Sequence, residues 1–385
     1  MRGKSTLISV SEQMRGFWTR GRTVAIVQFE AVHEEVIPSV CHALKENGIT
    51  PTVFLNHEIL TRRGDIFARI CPGEFDYHYV PVSSPEDWHM LKTRLLARKK
   101  DAFVLINTYQ RPGIAKFGSE LGKPVLGIVH NPQIFLSHKD CVETALAPNV
   151  GLMTLADHAA SYLIAGQQSF MDKVASLTPL YWGPEIAQSD PDPTLRRRVV
   201  VPGAVNFSNR NYDFLFDAFA QNPGLQGRLE VRILGGGPDR TALEIRVHEA
   251  GLDSAITFST LNPDTGFVDH QVYFDDLRRA AFVLPLLPLN RQDYRTYKIT
   301  AALSTAQGFC IPPLLDRWTA MVYRIPALEF QGTQLQGGLV AAADMPDADY
   351  AALRAQMHDF RADRLARNAQ EMAYLIAQTC PANSP

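Results

Sequence analysis

From Thr23 onward, short apolar runs alternate with stretches in which apolar residues recur every three or four positions. The first pattern fits buried strands and the second amphipathic helices. Thr23–Phe29, Pro51–Leu55, Tyr77–Val82, Ala102–Asn107, Pro124–His130 and Gly151–Leu155 read as strands, with Leu180–Trp182 as a further short one. His33–Asn47, Pro85–Lys99, Ile114–Leu121 and His158–Gly166 read as helices between them, the first closed by Gly48. Such alternation predicts a doubly wound parallel sheet. The pattern breaks at Pro184–Pro193, where Pro and Asp accumulate ahead of Arg196-Arg197-Arg198. It restarts with strands at Val199–Pro202, Leu229–Leu234, Ala255–Ser259, Ala281–Leu289 and Ile311–Leu315. Helices are predicted at Tyr212–Gln221, Arg240–Ala250, Phe274–Ala280 and Tyr297–Gly308, and a long one from Asp347 to Gln378.

The expected organisation is therefore α/β: a basic N-terminal tail (1–22), a Rossmann-like domain (23–185), a linker (186–198), a second Rossmann-like domain (199–346) and a C-terminal helical segment (347–385) that crosses back to the first domain. The chain of 385 residues is long enough for two domains, and 46% hydrophobic against 20% charged residues is ordinary globular composition. A net charge of −2 gives no global attraction to nucleic acid. The five Cys, at 41, 71, 141, 310 and 380, form no Cys-x2-Cys pair, which argues against a zinc module and fits a reducing cytoplasm. No apolar run is long enough to span a membrane, and the first 22 residues lack the apolar core of a signal peptide. Those residues carry Arg2, Lys4, Arg15, Arg20 and Arg22 against Glu12 alone. They read first as a solvated tail, and second as an amphipathic segment making peripheral contact with an anionic inner-membrane surface.

Ligands in open α/β sheets bind at the carboxyl ends of the strands, where helix N-termini favour anions. Three loops of the second domain meet that description. Lys298 opens a helix after the Ala281–Leu289 strand, with Arg291, Arg295, Thr296 and Thr300 beside it. Gly203 and Asn206 follow the first strand of the domain, and Arg210 there can offer a diphosphate a fork of donors. Gly235-Gly236-Gly237-Pro238-Asp239-Arg240 joins a strand to a helix, where glycines permit close approach to a phosphate. It is neither a Walker loop nor an intact G-x-G-x-x-G, and tight turns use glycine without any ligand. In the first domain His130 ends an apolar strand, Asn107 and Thr108 end its neighbour, and Glu30 and His33 occupy the first strand-to-helix loop, where a carboxylate could serve as acceptor base. A capping His and a solvated charged face are the competing structural readings of these residues.

Together these segments resemble the GT-B glycosyltransferases, especially the retaining nucleotide-sugar branch of bacterial polysaccharide synthesis. The resemblance rests on PGAVNFSNRNYDFLFDAFA, LEVRILGGGPDRTAL, YFDDLRRAAFVLPLLP, KITAALSTAQGFCIP and, in the first domain, GKPVLGIVHNPQ. It implies two Rossmann-like domains facing across a cleft. It also implies a UDP- or GDP-sugar donor in the second domain, with no further cofactor. Arg210 and Lys298 would stabilise the leaving diphosphate in place of a metal, Gly203, Asn206, Gly235, Gly236, Gly237, Asp239, Arg240, Arg295, Thr296 and Thr300 would line the nucleotide site, and His130 would touch the donor sugar. A glycan or lipid-linked acceptor would meet Glu30, His33, Asn107 and Thr108. The Glu-x7-Glu of that branch is missing: no Glu lies between Glu249 and Glu329, and Thr305 stands where the second would fall. The residues fit retaining and inverting transfer alike, and a GT-B epimerase or a non-catalytic glycan- or partner-binding protein of the same fold are the alternatives.

Overall fold

The computed structural model describes residues 22–183 and 198–380, so the basic tail up to residue 21 and the linker except Arg198 lie outside it. The described residues form two compact units. One takes the chain up to Tyr181 and again from Leu365, and the other is Trp182–Arg364.

The first unit is built on seven strands, β1 (Thr23–Gln28), β2 (Thr50–Asn56), β3 (Asp76–Val80), β4 (Asp101–Asn107), β5 (Val125–Val129), β6 (Val150–Thr154) and β7 (Val174–Ser176). They form one parallel sheet in the order β3-β2-β1-β4-β5-β6-β7. The order reverses between β1 and β4, which makes the carboxyl ends of those strands the topological switch point. β1, β4 and β5 are buried almost throughout, as continuous Val, Ile and Leu runs in a sheet covered on both faces should be. Leu180–Trp182 is not a strand: the amides of Leu180 and Tyr181 both donate to Ser39 Oγ at 2.8 Å, so a side chain takes the place of a ladder. The sheet ends instead on β7, which the sequence pattern missed. Also unexpected are the helices His57–Arg63, Phe67–Ile70, Pro132–Ser137 and Lys139–Ala145, too short to show a helical period.

The second unit has strands β8 (Arg198–Val201), β9 (Glu230–Ile233), β10 (Ile256–Phe258), β11 (Phe282–Val283), β12 (Leu314–Asp316) and β13 (Leu328–Phe330). Parallel β10-β9-β8-β11 and parallel β12-β13 form two sheets, linked by a parallel bridge from Val283 to Pro313. The unit's switch point lies between β8 and β11. Arg198, expected in the linker, is the first residue of β8 and pairs with Glu230 at 2.8 Å. The long apolar run expected as one strand over 281–289 is regular only at Phe282–Val283, because Pro285 and Pro288 lack the amide that would extend a ladder. The following helix starts at Ala301 with Thr300 as its N-cap, rather than at Tyr297; it ends at Gly308 as expected, and a left-handed residue, Cys310 (φ 52°), follows. A final helix, Asp347–Thr379, begins in the second unit and continues into the first.

Candidate functional site

At the switch point of the first unit, the chain leaves β4 through Asn107 and a strained Thr108. A β-branched residue at φ 64° is costly. The Thr108 hydroxyl turns back onto the Asn107 carbonyl at 2.6 Å, and the residue is fully buried, so it is part of the turn and not an acceptor contact. The turn sends the Tyr109 ring over β5 at Gly127, where any side chain would strike it. His130 follows β5, and its Nε2 lies 2.6 Å from Asn107 Oδ1. His33, itself left-handed at φ 73°, lays its ring 4.4 Å from that of His130. Glu30 faces Arg111, with Oε1 and Nε 2.8 Å apart. Burial, and then the nearby His33, push His130 well below the usual histidine range, so it is neutral at pH 7. Burial alone would lower His33 too, but Glu35, Glu30 and Glu34 outweigh it and raise the group. Two adjacent imidazoles, tilted by 40°, are thus driven apart in basicity, the arrangement from which acid and base roles are drawn.

The second unit meets the sequence expectations in a different way. Gly203 (φ 90°) turns the chain after β8, and a side chain there would run into the Arg210 guanidinium. That guanidinium donates to the carbonyls of Pro202, Ala204 and Pro285, and so ties the ends of β8 and β11 across the switch point. The three glycines are occupied by the protein itself. A Cβ at Gly235 would strike the Gly203 carbonyl, one at Gly236 the Gly266 carbonyl, and one at Gly237 the backbone of Val205. Val205 N donates to Gly236 O at 2.8 Å and Asp239 Oδ2 accepts from Phe207 N at 2.7 Å, which closes one loop onto the other. Arg240 is buried, its fork spent on the carbonyls of Gly235 and Ser259 at 2.7 and 2.9 Å. Asn206 folds an Asx turn, accepting from Ser208 N at 2.8 Å. Gly235→Ala is accordingly expected to lower unfolding stability by about 1–3 kcal/mol, since the clash is with backbone; a loss under about 0.5 kcal/mol in urea unfolding, the range of an ordinary surface substitution, would remove this account of the triple glycine.

The cations differ in burial and in what holds them. The Arg295 side chain is fully buried, 3.0 Å from Asp316 and 2.8 Å from Thr319 Oγ1, and it belongs to the interior rather than to a ligand surface. Thr296 back-bonds to Gln292 O at 2.6 Å within its helix, and Thr300 Oγ1 caps Ala302 N. Arg291 grips Asp293 with two donors, at 3.1 and 2.5 Å, and reaches Ser208 O at 2.8 Å. Lys298 Nζ lies 3.2 Å from the same carboxylate. Burial works to raise Asp293, but the bonds and charges of Arg291 and Lys298 outweigh it and hold the carboxyl below its ordinary range. Arg210, Arg291 and Lys298 thus stand against Asp293, leaving an excess of positive charge beside the switch point. Next to it, Phe207, Arg210, Tyr212, Arg246 and Arg291 line a cavity of about 350 Å³. Among the described residues, no group of three or more His, Cys, Asp or Glu is placed to hold a metal ion, and no helix is long and apolar enough to cross a membrane.

Two residues at these switch points escaped the sequence reading. Gln28 is the last residue of β1, buried among apolar neighbours, and its amide reaches the Glu30 carbonyl at 2.8 Å. A polar residue closing an apolar strand was the available signal. Arg246 had none, since its partner Asp213, 2.6 Å away, is on another helix.

No family model and no curated protein matches the sequence; the likeness is one of structure. HepE of Anabaena, solved with UDP and glucose, aligns with a TM-score of 0.61 at 10% identity, over 92% of this chain and 99% of its own. A glycosyltransferase of Rickettsia africae aligns at 0.62 and 11% identity, over 94% and 99%. An α,α-trehalose-phosphate synthase (UDP-forming) of Burkholderia vietnamiensis aligns at 0.60 and 12% identity, over 95% and 99%. At these identities the shared property is the fold, and the chain has the GT-B fold.

Proposed function

We propose that this protein is a glycosyltransferase that moves a sugar from a nucleoside-diphosphate donor, UDP- or GDP-linked, to a lipid-linked or polysaccharide acceptor at the cytoplasmic face of a membrane. The observation that carries the reading is the cation excess at the second unit's switch point, where Arg291 and Lys298 meet Asp293 and Arg210 bridges the ends of β8 and β11. A departing diphosphate gains two negative charges' worth of stabilisation from such a cluster without a metal ion. The N-terminus of the helix Ala301–Gly308 adds its dipole. The first unit supplies the acceptor side, with His130 neutral and able to accept a hydrogen bond or a proton. The bound UDP and glucose of HepE and the UDP-forming reaction of the trehalose-phosphate synthase support a uridine donor.

A nucleoside diphosphate is expected to raise the thermal midpoint of the protein, and Lys298→Ala to abolish the rise. No shift with UDP, GDP or ADP would overturn the reading. One observation favours a non-catalytic binding protein instead: Thr305, at the place of a donor-reading Glu, spends its hydroxyl on Ala301 O at 2.8 Å. Glycan binding that survives loss of both Lys298 and Arg210, with no donor turnover, would establish that alternative.

A further inference from the structure

The polar chain beneath His130 fixes where its proton sits. Gln28 and Asn107 are completely buried, and each has both amide hydrogens engaged. Gln28 Nε2 donates to two backbone carbonyls, Glu30 O at 2.8 Å and Val32 O. A carbonyl can only accept, so the Gln28 amide has one orientation, and its Oε1 must face Asn107. Asn107 Nδ2 in turn donates to Gln28 Oε1 and to a third carbonyl, His33 O, at 3.0 Å. Reversing the Asn107 amide would set its oxygen against two acceptors, in a buried site where an unmade bond costs about 1–3 kcal/mol. Its Oδ1 therefore faces His130 Nε2, 2.6 Å away, and a neutral imidazole at that distance must hold its hydrogen on Nε2.

We propose that Gln28 and Asn107 are positioning residues that lock His130 in its Nε2–H tautomer and leave Nδ1 as the lone pair it offers to a sugar hydroxyl. The substrate named here rests on the glycosyltransferase reading; the tautomer does not. Three backbone carbonyls, those of Glu30, Val32 and His33, set the direction of the whole relay. The left-handed turn at His33 delivers the last of them, which gives that strained residue a purpose. The same geometry explains why the groups are amides: a carboxylate at either position would confront these carbonyls with no donor.

The test is a long-range proton–nitrogen spectrum of the full-length protein labelled at histidine, with the His130 signals identified as those missing from His130→Gln. The expected pattern has Nε2 protonated and Nδ1 bare. In Asn107→Ala the pattern should move toward an average of the two tautomers. A proton on Nδ1 in the unsubstituted protein overturns the inference. So does a folded Asn107→Ala that keeps the single Nε2–H pattern. The first measurement does not use Asn107→Ala, so it stands if that variant does not fold. Neither measurement uses a donor or acceptor. Absence of a nucleotide-induced thermal shift would therefore sink the glycosyltransferase reading and leave the tautomer untouched, while the wrong tautomer would do the reverse.

Discussion

Arg295→Ala is expected to cost about 3–5 kcal/mol of unfolding stability, the range for removing one partner of a buried ion pair. The guanidinium has no exposure, and Asp316 has hardly any. Without Arg295 the carboxylate would keep the Thr319 amide at 3.0 Å and the Thr319 hydroxyl at 2.6 Å, but no positive charge. Arg295 also reaches Arg291 O at 3.2 Å, so the loop that carries Arg291 and Lys298 hangs from the same side chain. The loss should therefore appear twice, as a lower urea midpoint and as a weaker nucleoside-diphosphate response in the protein that remains folded. Arg295→Lys should recover little, since one ammonium cannot span Asp316, Thr319 and a carbonyl together. A loss of less than about 1 kcal/mol, the scale of an exposed pair, would show that the pair is wet in solution.

His130→Ala should lower donor turnover, followed as release of nucleoside diphosphate, by about 10²–10⁴, the usual contribution of a positioned acid–base group. The nucleotide-induced thermal shift should survive, because the cations proposed to bind the diphosphate belong to the second unit. Turnover within about threefold of the unsubstituted protein, well short of that range, would remove His130 from the chemistry. The same residue predicts an acid signature. In the folded chain His130 titrates well below 6.5, while in the unfolded chain it takes up its proton near 6.5. The unfolded state then binds more protons as the pH falls through that value, and the stability present above it is lost below it. His33 has the opposite sign: its raised value adds stability below 6.5 that disappears as the pH rises through its folded value. The stability advantage of the natural chain over His130→Asn should shrink between pH 7 and pH 5; an advantage that grows would contradict the neutral state.

Much of the strand frame was legible because parallel strands covered on both faces are continuous apolar runs, as β1, β4 and β5 are. The GT-B plan was what the resemblance implied, and that rested mainly on segments of the second domain such as LEVRILGGGPDRTAL. What the pattern concealed has specific causes. β7 and β13 have three residues each, below the length at which periodicity speaks. The sequence nominated Arg210, Arg240 and Arg295 as one class of residue, yet a cation's partner is set by the fold: backbone carbonyls engage the first two, while Asp316, some twenty positions further on, takes Arg295. The triple glycine was visible as a turn, but not that Gly203, Val205 and Gly266 fill it. His130, Asn107, His33 and Glu30 could be placed at strand ends one by one. The link among them ran through Gln28, which no motif marks.

The last helix has a bearing on how this protein is made. Within the first unit, Asn47 donates to Ala369 O at 2.9 Å, Asn368 exchanges bonds with Thr178 at 2.9 and 2.8 Å, and Gly151 leaves room for Thr379 and Leu375. Everything from Trp182 to Arg364 must be translated between the two parts of that unit. At ~5–20 residues per second the ribosome needs roughly ten to forty seconds to do so. Through that interval the nascent first unit lacks the helix that packs on Gly151. The half that begins synthesis first is the half that can be finished only at the end.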